Sequence, residues 1–185
     1  MTEREQLTRL LAIRSARRGN FTLVSGRRST LYIDARLTTM SPDGMTLIGP
    51  LGLGQVQDRW EVDSIGGLTL GADPIAYAIS YASATSSSPL RAFTVRKEAK
   101  SYGTGKLIEG PFRTGDRTVI IEDVITTGSS ALKAIAAVQS AGGRVLGVLA
   151  LVDREEGGRE TIEAAGFPVA TLVRAHDLLP LIPSE

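Results

Sequence analysis

Residues 117–131 read Arg117-Thr-Val-Ile-Ile-Glu122-Asp123-Val-Ile-Thr126-Thr127-Gly128-Ser129-Ser130-Ala131. Thr118 to Ile121 is a short β-branched run and predicts a buried strand. Glu122 and Asp123 are expected to end it. A core strand has no use for adjacent carboxylates unless something pairs with them, because an unpaired buried charge is costly. The small, hydroxyl-rich turn Thr126-Thr127-Gly128-Ser129-Ser130 follows, then a helical pattern from Ala131 to Ala141. A glycine-containing turn that opens a helix aims backbone N–H groups at one spot, where the helix dipole favours an anion. The stretch therefore offers a phosphate cradle beside two acids. Carboxylates repel phosphate but accept hydrogen bonds from hydroxyls. A sugar phosphate with a free diol satisfies both, its phosphate in the turn and its diol facing Glu122 and Asp123.

The rest of the composition narrows the class. The chain has 185 residues, 42% of them hydrophobic, enough for one good core with at most a small annex. Lys plus Arg number 21 against 20 Asp plus Glu, a net charge of +1, so no global field points to nucleic acid. The absence of cysteine excludes disulfides and thiolate metal sites, and a single histidine, His176, leaves no cluster for zinc. The charged N-terminus (Glu3, Arg4, Glu5, Arg9) lacks the apolar block of a signal peptide. The longest apolar run, Val145 to Val152, is far shorter than the roughly 20 residues of a membrane span. A cytoplasmic protein without a membrane partner is expected.

In chain order, residues 3–17 predict an amphipathic helix closed by Gly19, and 20–37 a hairpin turning at Ser25-Gly26. Ser41-Pro42-Asp43 starts another helix, which Gly49, Pro50, Gly52 and Gly54 weaken. Gly52-Leu53-Gly54 does not match a dinucleotide fingerprint, and no strand precedes it. Val62 to Ile65 predicts a strand, Gly66 to Asp73 a glycine loop, and Pro74 to Ala84 a helix. The loop glycines allow a ligand to approach the backbone, so a second anion loop is expected there. After the strand Leu90–Val95, four cations and two glycines fall between Arg96 and Lys106. That segment, extending to 110, is expected to be a mobile basic lid that carries charge to phosphate. Its Gly105-Lys106 is not a P-loop. Val145–Val152 predicts a core strand, and Asp153-Arg154 lies at its C-terminal end, where open α/β sheets bind ligands. Arg154 has the fork geometry to hold a carboxylate. A helix (157–166), a strand (169–173) and a terminal turn (175–180) complete the chain, with His176 read as structural. The alternation of strand and helix from 62 to 173 predicts a mostly parallel sheet flanked by helices.

The apolar run, two acids and Thr-Thr-Gly-Ser-Ser closely resemble the motif by which type I phosphoribosyltransferases bind PRPP (phosphoribosyl diphosphate). Three further segments resemble the orotate branch of that family: Phe21–Ser29 with Tyr32–Arg36, the run Arg96–Lys100 with Gly103–Gly110, and Asp153-Arg154. Together they span about residues 20–155 in matching order. The resemblance implies a small N-terminal hood (1–40) on an α/β core (41–185) with a mobile loop at 96–110. It implies transfer of the phosphoribosyl group from PRPP to orotate, giving orotidine 5′-monophosphate and diphosphate in pyrimidine synthesis. Glu122 and Asp123 would hold the ribose hydroxyls, and Thr126, Thr127, Gly128, Ser129 and Ser130 the 5′-phosphate. Leu70 and Gly71 would touch the diphosphate through their backbone, while Arg96, Lys97 and Lys100 approach it from the loop. Ser25, Gly26, Tyr32, Thr126 and Arg154 would line the orotate pocket, with Arg154 on the carboxylate. Lys100, Lys97, Arg96 and Asp123 would carry catalysis. Mg²⁺ would ride on PRPP oxygens without direct protein ligands, and a homodimer would lend each loop to the neighbouring site.

The sequence departs from the family pattern at three places. Val24, Gly71 and Tyr102 stand where many members carry Lys, Lys and His. Two competing expectations follow: transfer to another base, or a nucleotide-sensing regulator that kept the fold. Arg154 favours a carboxylate-bearing base, and the retained Arg96, Lys97 and Lys100 speak against the regulator.

Overall fold

The fold comes from a computed structural model that describes residues 1–22, 28–98 and 106–183. Ser25, Gly26, Val24, Lys100 and Tyr102 lie outside the described residues. Helix α1 (Glu3–Arg14) starts with a capping box between Thr2 and Glu5 and stops at Ser15. Strands β1 (Ala16–Thr22) and β2 (Arg28–Ile33) form an antiparallel ribbon. The first helix is thus shorter than expected, and Gly19 belongs to β1 rather than closing α1. A short helix α2 (Arg36–Thr39) leads into α3 (Pro42–Gln57).

The glycines expected to weaken α3 do not interrupt it. A β-carbon at Gly49 would lie 2.8 Å from the Ala78 carbonyl oxygen, and one at Gly52 would lie 2.5 Å from the Ile79 Cδ1 atom. Both residues let α3 lie directly on α4 (Ala72–Ala82). Packing gained there outweighs the roughly 1 kcal/mol of helix propensity each glycine loses.

The main sheet has the order β5-β4-β3-β6-β7-β8, with β3 (Ser64–Leu68), β4 (Arg91–Val95), β5 (Ile108–Glu109), β6 (Arg117–Ile125), β7 (Arg144–Asp153) and β8 (Val169–Arg174). All neighbours are parallel except β4 and β5. Helices α5 (Ser129–Ser140), α6 (Gly158–Ala164) and α7 (Ala175–Leu178) complete the set, with short turns at Ser83–Thr85 and Leu179–Leu181.

Alternating side chains feed two cores. Val119, Ile121, Leu149 and Leu151 pack with Leu7 and Leu11 of α1, Ile48 of α3 and Ile75 of α4. Ile120, Val148 and Ala150 pack on the other face with Ala134 and Val138 of α5 and Ile162 of α6. Burial on both faces explains the continuous apolar runs.

Further boundaries in the main sheet differ from expectation. β6 continues through Glu122 and Asp123 to Ile125, because Glu122 pairs in register with Ala150 and Val124 with Val152. Gly66 and Gly67 lie inside β3, where β4 and β6 come too close for side chains: added β-carbons would meet the Phe93 and Ile121 carbonyl oxygens. The end of the basic segment is not loop, since Ile108 and Glu109 pair with Val95 and Thr94.

Connections from β3 lead outward through α4 to β4, while those from β6 lead the other way to β7 and β8. The strand order therefore reverses between β3 and β6. A crevice at the C-terminal ends of the strands is expected at such a point.

Candidate active site

The predicted site residues of the central motif gather at that reversal. Gly71, the N-cap of α4, sits against the Asp123 carboxyl group from β6. Leu70 beside it is half-exposed, and the Thr69–Leu70 peptide is cis. Asp123 Oδ1 accepts a hydrogen bond from the Val124 N–H at 2.8 Å. The neighbouring Glu122 is pushed up to about 9 by burial, then by the charge of Asp123 and a hydrogen bond to it. Burial and the neighbouring carboxylate therefore favour the neutral form of Glu122 near neutral pH. A bound diol or cation would meet these two adjacent carboxyl groups.

The turn after β6 closes around an enclosure of about 60 Å³ lined by Glu122 and residues 124–130. Gly128 has φ +81°, and a β-carbon there would lie 2.7 Å from the Gly158 carbonyl oxygen, so glycine answers both the left-handed backbone and the contact with α6. The first intrahelical bond of α5 runs from Leu132 N–H to Gly128 O at 3.0 Å. The N–H groups of Ser129, Ser130 and Ala131 therefore precede the helix's own acceptors. Thr127 and Ser129 hydroxyls lie 3.2 Å apart at the mouth.

The basic segment is described at its ends. Arg96 follows β4, with its N–H bonded to Leu107 O at 2.8 Å and its guanidinium 3.6 Å from Glu109. Lys97 is exposed, and Lys100 lies outside the described residues.

Arg154 is buried and heavily engaged. One guanidinium nitrogen, Nη2, meets Ser29 Oγ at 2.7 Å, Leu31 O at 2.8 Å and Glu156 Oε1 at 2.7 Å. Its N–H donates to Ile125 O at 3.0 Å, which brings it beside Thr126. Its Nε is buried without a partner among the described residues. Tyr32 is partly exposed and stacks at 5.4 Å on Phe21. Ser25 and Gly26 lie outside the described residues.

Sequence reasoning missed several members of this neighbourhood. Glu156 and Ser29 became visible only through Arg154. Arg36, held by Asp34, also feels the charge of Asp123. Asp73 was expected only as the end of the glycine loop, yet it lies inside α4, which Gly71 caps, and binds two threonine hydroxyls. Its position before Pro74, on a glycine loop, was the available signal. A cavity of about 920 Å³ lies apart from all of these between α1 and β8, and none of the predicted site residues lines it. Among the described residues no helix is long and apolar enough to cross a membrane.

A parallel sheet whose order reverses beside an acid pair, a glycine loop and a hydroxyl-rich helix-opening turn defines the type I phosphoribosyltransferase class. No protein-family model matches the chain. It is 47% identical over 182 residues to the orotate phosphoribosyltransferase of Aquifex aeolicus, covering 97% of this chain and 99% of that one. The crystal structure of Mycobacterium tuberculosis orotate phosphoribosyltransferase with Fe(III) dicitrate superposes with a TM-score of 0.84 at 43% identity, covering 96% of this chain and 99% of that one. A second structure of that protein, in complex with PRPP, superposes with a TM-score of 0.80 at 41% identity over 96% and 99% of the two chains. This chain belongs to the orotate phosphoribosyltransferase family.

Proposed function

We propose that this chain transfers the phosphoribosyl group of PRPP to orotate, giving orotidine 5′-monophosphate and diphosphate in pyrimidine biosynthesis. The observation that carries this reading is the meeting of Gly71, Asp123 and the 126–130 turn at the strand-order reversal. The turn receives the 5′-phosphate, Glu122 and Asp123 the ribose hydroxyls, and the backbone around Leu70 and Gly71 the diphosphate. Arg96, Lys97 and Lys100 neutralise the leaving group from the basic loop. Tyr32, Thr126 and Arg154, with Ser25 and Gly26, receive orotate beneath the 1–40 hood.

The transition state breaks the bond from the anomeric carbon to diphosphate while an orotate ring nitrogen attacks. Little covalent chemistry is asked of the protein. It holds two anions in line, stabilises charge growing on the leaving group and keeps water from the activated sugar.

Among the described residues no group of three or more His, Cys, Asp or Glu is arranged to hold a metal. With only the adjacent carboxyl groups of Glu122 and Asp123 at hand, the site fits a Mg²⁺ ion that keeps mostly ligand and water oxygens. Bound with PRPP, that ion supplies positive charge to the departing diphosphate.

The homodimer reading is supported by an apolar face on α3 and α4. Tyr81 is 85% exposed there, with Tyr77 and Met45 beside it. We place the protein in the cytoplasm. The test is to mix the protein with PRPP and Mg²⁺, supplying orotate, uracil, adenine and hypoxanthine in parallel. Orotate alone is expected to be consumed; consumption of another base instead would refute the reading.

A further inference from the structure

Asp73 is buried at the first turn of α4, two residues beyond the diphosphate-loop glycine. Its Oδ2 accepts a hydrogen bond from Thr69 Oγ1 at 2.6 Å, and its Oδ1 accepts one from Thr94 Oγ1 at 2.8 Å. Thr94 Oγ1 also lies 2.7 Å from the Tyr77 hydroxyl. Thr94 spends its single proton on Asp73, so Tyr77 must be the donor in that last contact. The result is a directed chain, Tyr77 to Thr94 to Asp73, with Thr69 donating from the other side. It ties the second turn of α4 and the strand β4 to the residue that opens the diphosphate loop.

This chain meets a need created by Gly71. The loop 69–71 has no cationic side chain, so it can meet a diphosphate only through peptide N–H groups. Such an array works only if its backbone is fixed before the ligand arrives. Thr69 is held on its main chain by one bond, from its N–H to Val95 O at 2.8 Å. Asp73 adds a second anchor through the side chain. Both Asp73 oxygens are turned onto hydroxyls, so its charge is occupied rather than aimed at the phosphates.

We propose that Asp73 is a positioning residue for PRPP: with Thr94 and Tyr77 it clamps Thr69 and thereby presents the peptide groups of residues 69–71 to the diphosphate. The inference rests on the reading of 69–71 as the diphosphate loop. Its specificity is what separates it from a simple helix cap, since a clamp on this loop acts on PRPP and leaves orotate untouched.

The test combines titration calorimetry of PRPP with Mg²⁺ and steady-state kinetics on wild type, Asp73→Ala, Asp73→Asn, Thr94→Val and Tyr77→Phe. Asp73→Ala is expected to weaken PRPP binding about tenfold, the scale of a lost charged hydrogen bond. Its KM for orotate should stay within about twofold, because nothing in that pocket moves. Asp73→Asn should recover part of the loss, as its amide oxygen still accepts one hydroxyl. Tyr77→Phe should shift PRPP in the same direction by less. A folded Asp73→Ala that binds PRPP like wild type, or that raises both KM values equally, overturns the proposal. If Asp73→Ala does not fold, Thr94→Val cuts the same chain with the charge retained and decides it alone. Wild type that binds PRPP but consumes no orotate refutes the proposed reaction, while the PRPP comparison still reads the clamp. Wild type that does not bind PRPP refutes both.

Discussion

Asp123 fills the space that a side chain at Gly71 would need: a β-carbon built there falls 2.7 Å from Oδ1 and closer still to Cγ and Oδ2. The departure from the lysine expected at position 71 is therefore built into the site. The loop carries no cation at this position and instead lies in close contact with the acid proposed to face the ribose. Gly71→Ala should push the Asp123 carboxyl aside, and a displacement on the order of 1 Å at such a site costs up to about a hundredfold in rate. We expect kcat/KM for PRPP to fall by at least about tenfold, with Tm nearly unchanged. Kinetics indistinguishable from wild type would show that Asp123 has room to swing without consequence.

Glu122 gives a prediction in pH. Its ordinary value of 4.5 is raised to about 9 in the folded protein, by burial first and then by Asp123. Between those values the unfolded chain has released a proton that the folded chain keeps. The site's contribution to stability is therefore full below 4.5 and declines as pH rises toward about 9. Glu122→Gln removes the titration. Thermal melts without ligand should show a higher Tm for the variant than for wild type at the alkaline end of that window, and the two converging at the acid end. The same variant should bind PRPP more weakly, since the amide keeps a single neutral acceptor oxygen and cannot take on the negative charge that ribose hydroxyls or a bound cation favour. Parallel melting curves at all pH values would remove Glu122 as the titrating group.

Much of this was legible beforehand, for identifiable reasons. The β-branched run at 118–121 and the apolar run at 145–152 are largely buried on both faces, so their composition alone announced core strands. The Thr126–Ser130 turn was readable because glycine at a left-handed backbone and hydroxyls before a helix are local requirements. Distant partners were not readable. The persistence of α3 through Gly49 and Gly52 depends on Ala78 and Ile79 lying across it, and the extension of β6 to Ile125 depends on pairing with β7. Asp73 could be read only as the end of a glycine loop, because Thr94 lies 21 residues away and nothing local announces their contact.

Lys100 lies outside the described residues, so its prediction rests on charge alone. Negative charge on the departing diphosphate grows as the anomeric bond breaks. A cation reaching it there stabilises the transition state more than the ground state. Lys100→Ala should lower kcat more than it raises the Kd for PRPP, and steady-state rates set beside calorimetry separate the two. An unchanged kcat would remove Lys100 from catalysis.

Arg154 is asked to do two things, and its substitutions should separate them. Its buried guanidinium pairs with Glu156 and fastens β7 to Ser29 and Leu31 of β2. Removing one partner of a buried pair costs about 3–5 kcal/mol, so Arg154→Ala should lower Tm by about 10 °C. If Arg154 holds the orotate carboxylate as proposed, the variant should also lose saturation by orotate. Arg154→Lys keeps the charge but not the planar fork. An ammonium can still face Glu156, so Tm should recover in part. It cannot bridge Ser29, Leu31 and a substrate carboxylate together, so the orotate KM should stay raised by about tenfold or more. Tm is read by thermal melts and KM by initial rates at saturating PRPP. A lysine variant that restores orotate KM while Tm stays low would confine Arg154 to holding β2 and β7 together, and the carboxylate would then need another donor.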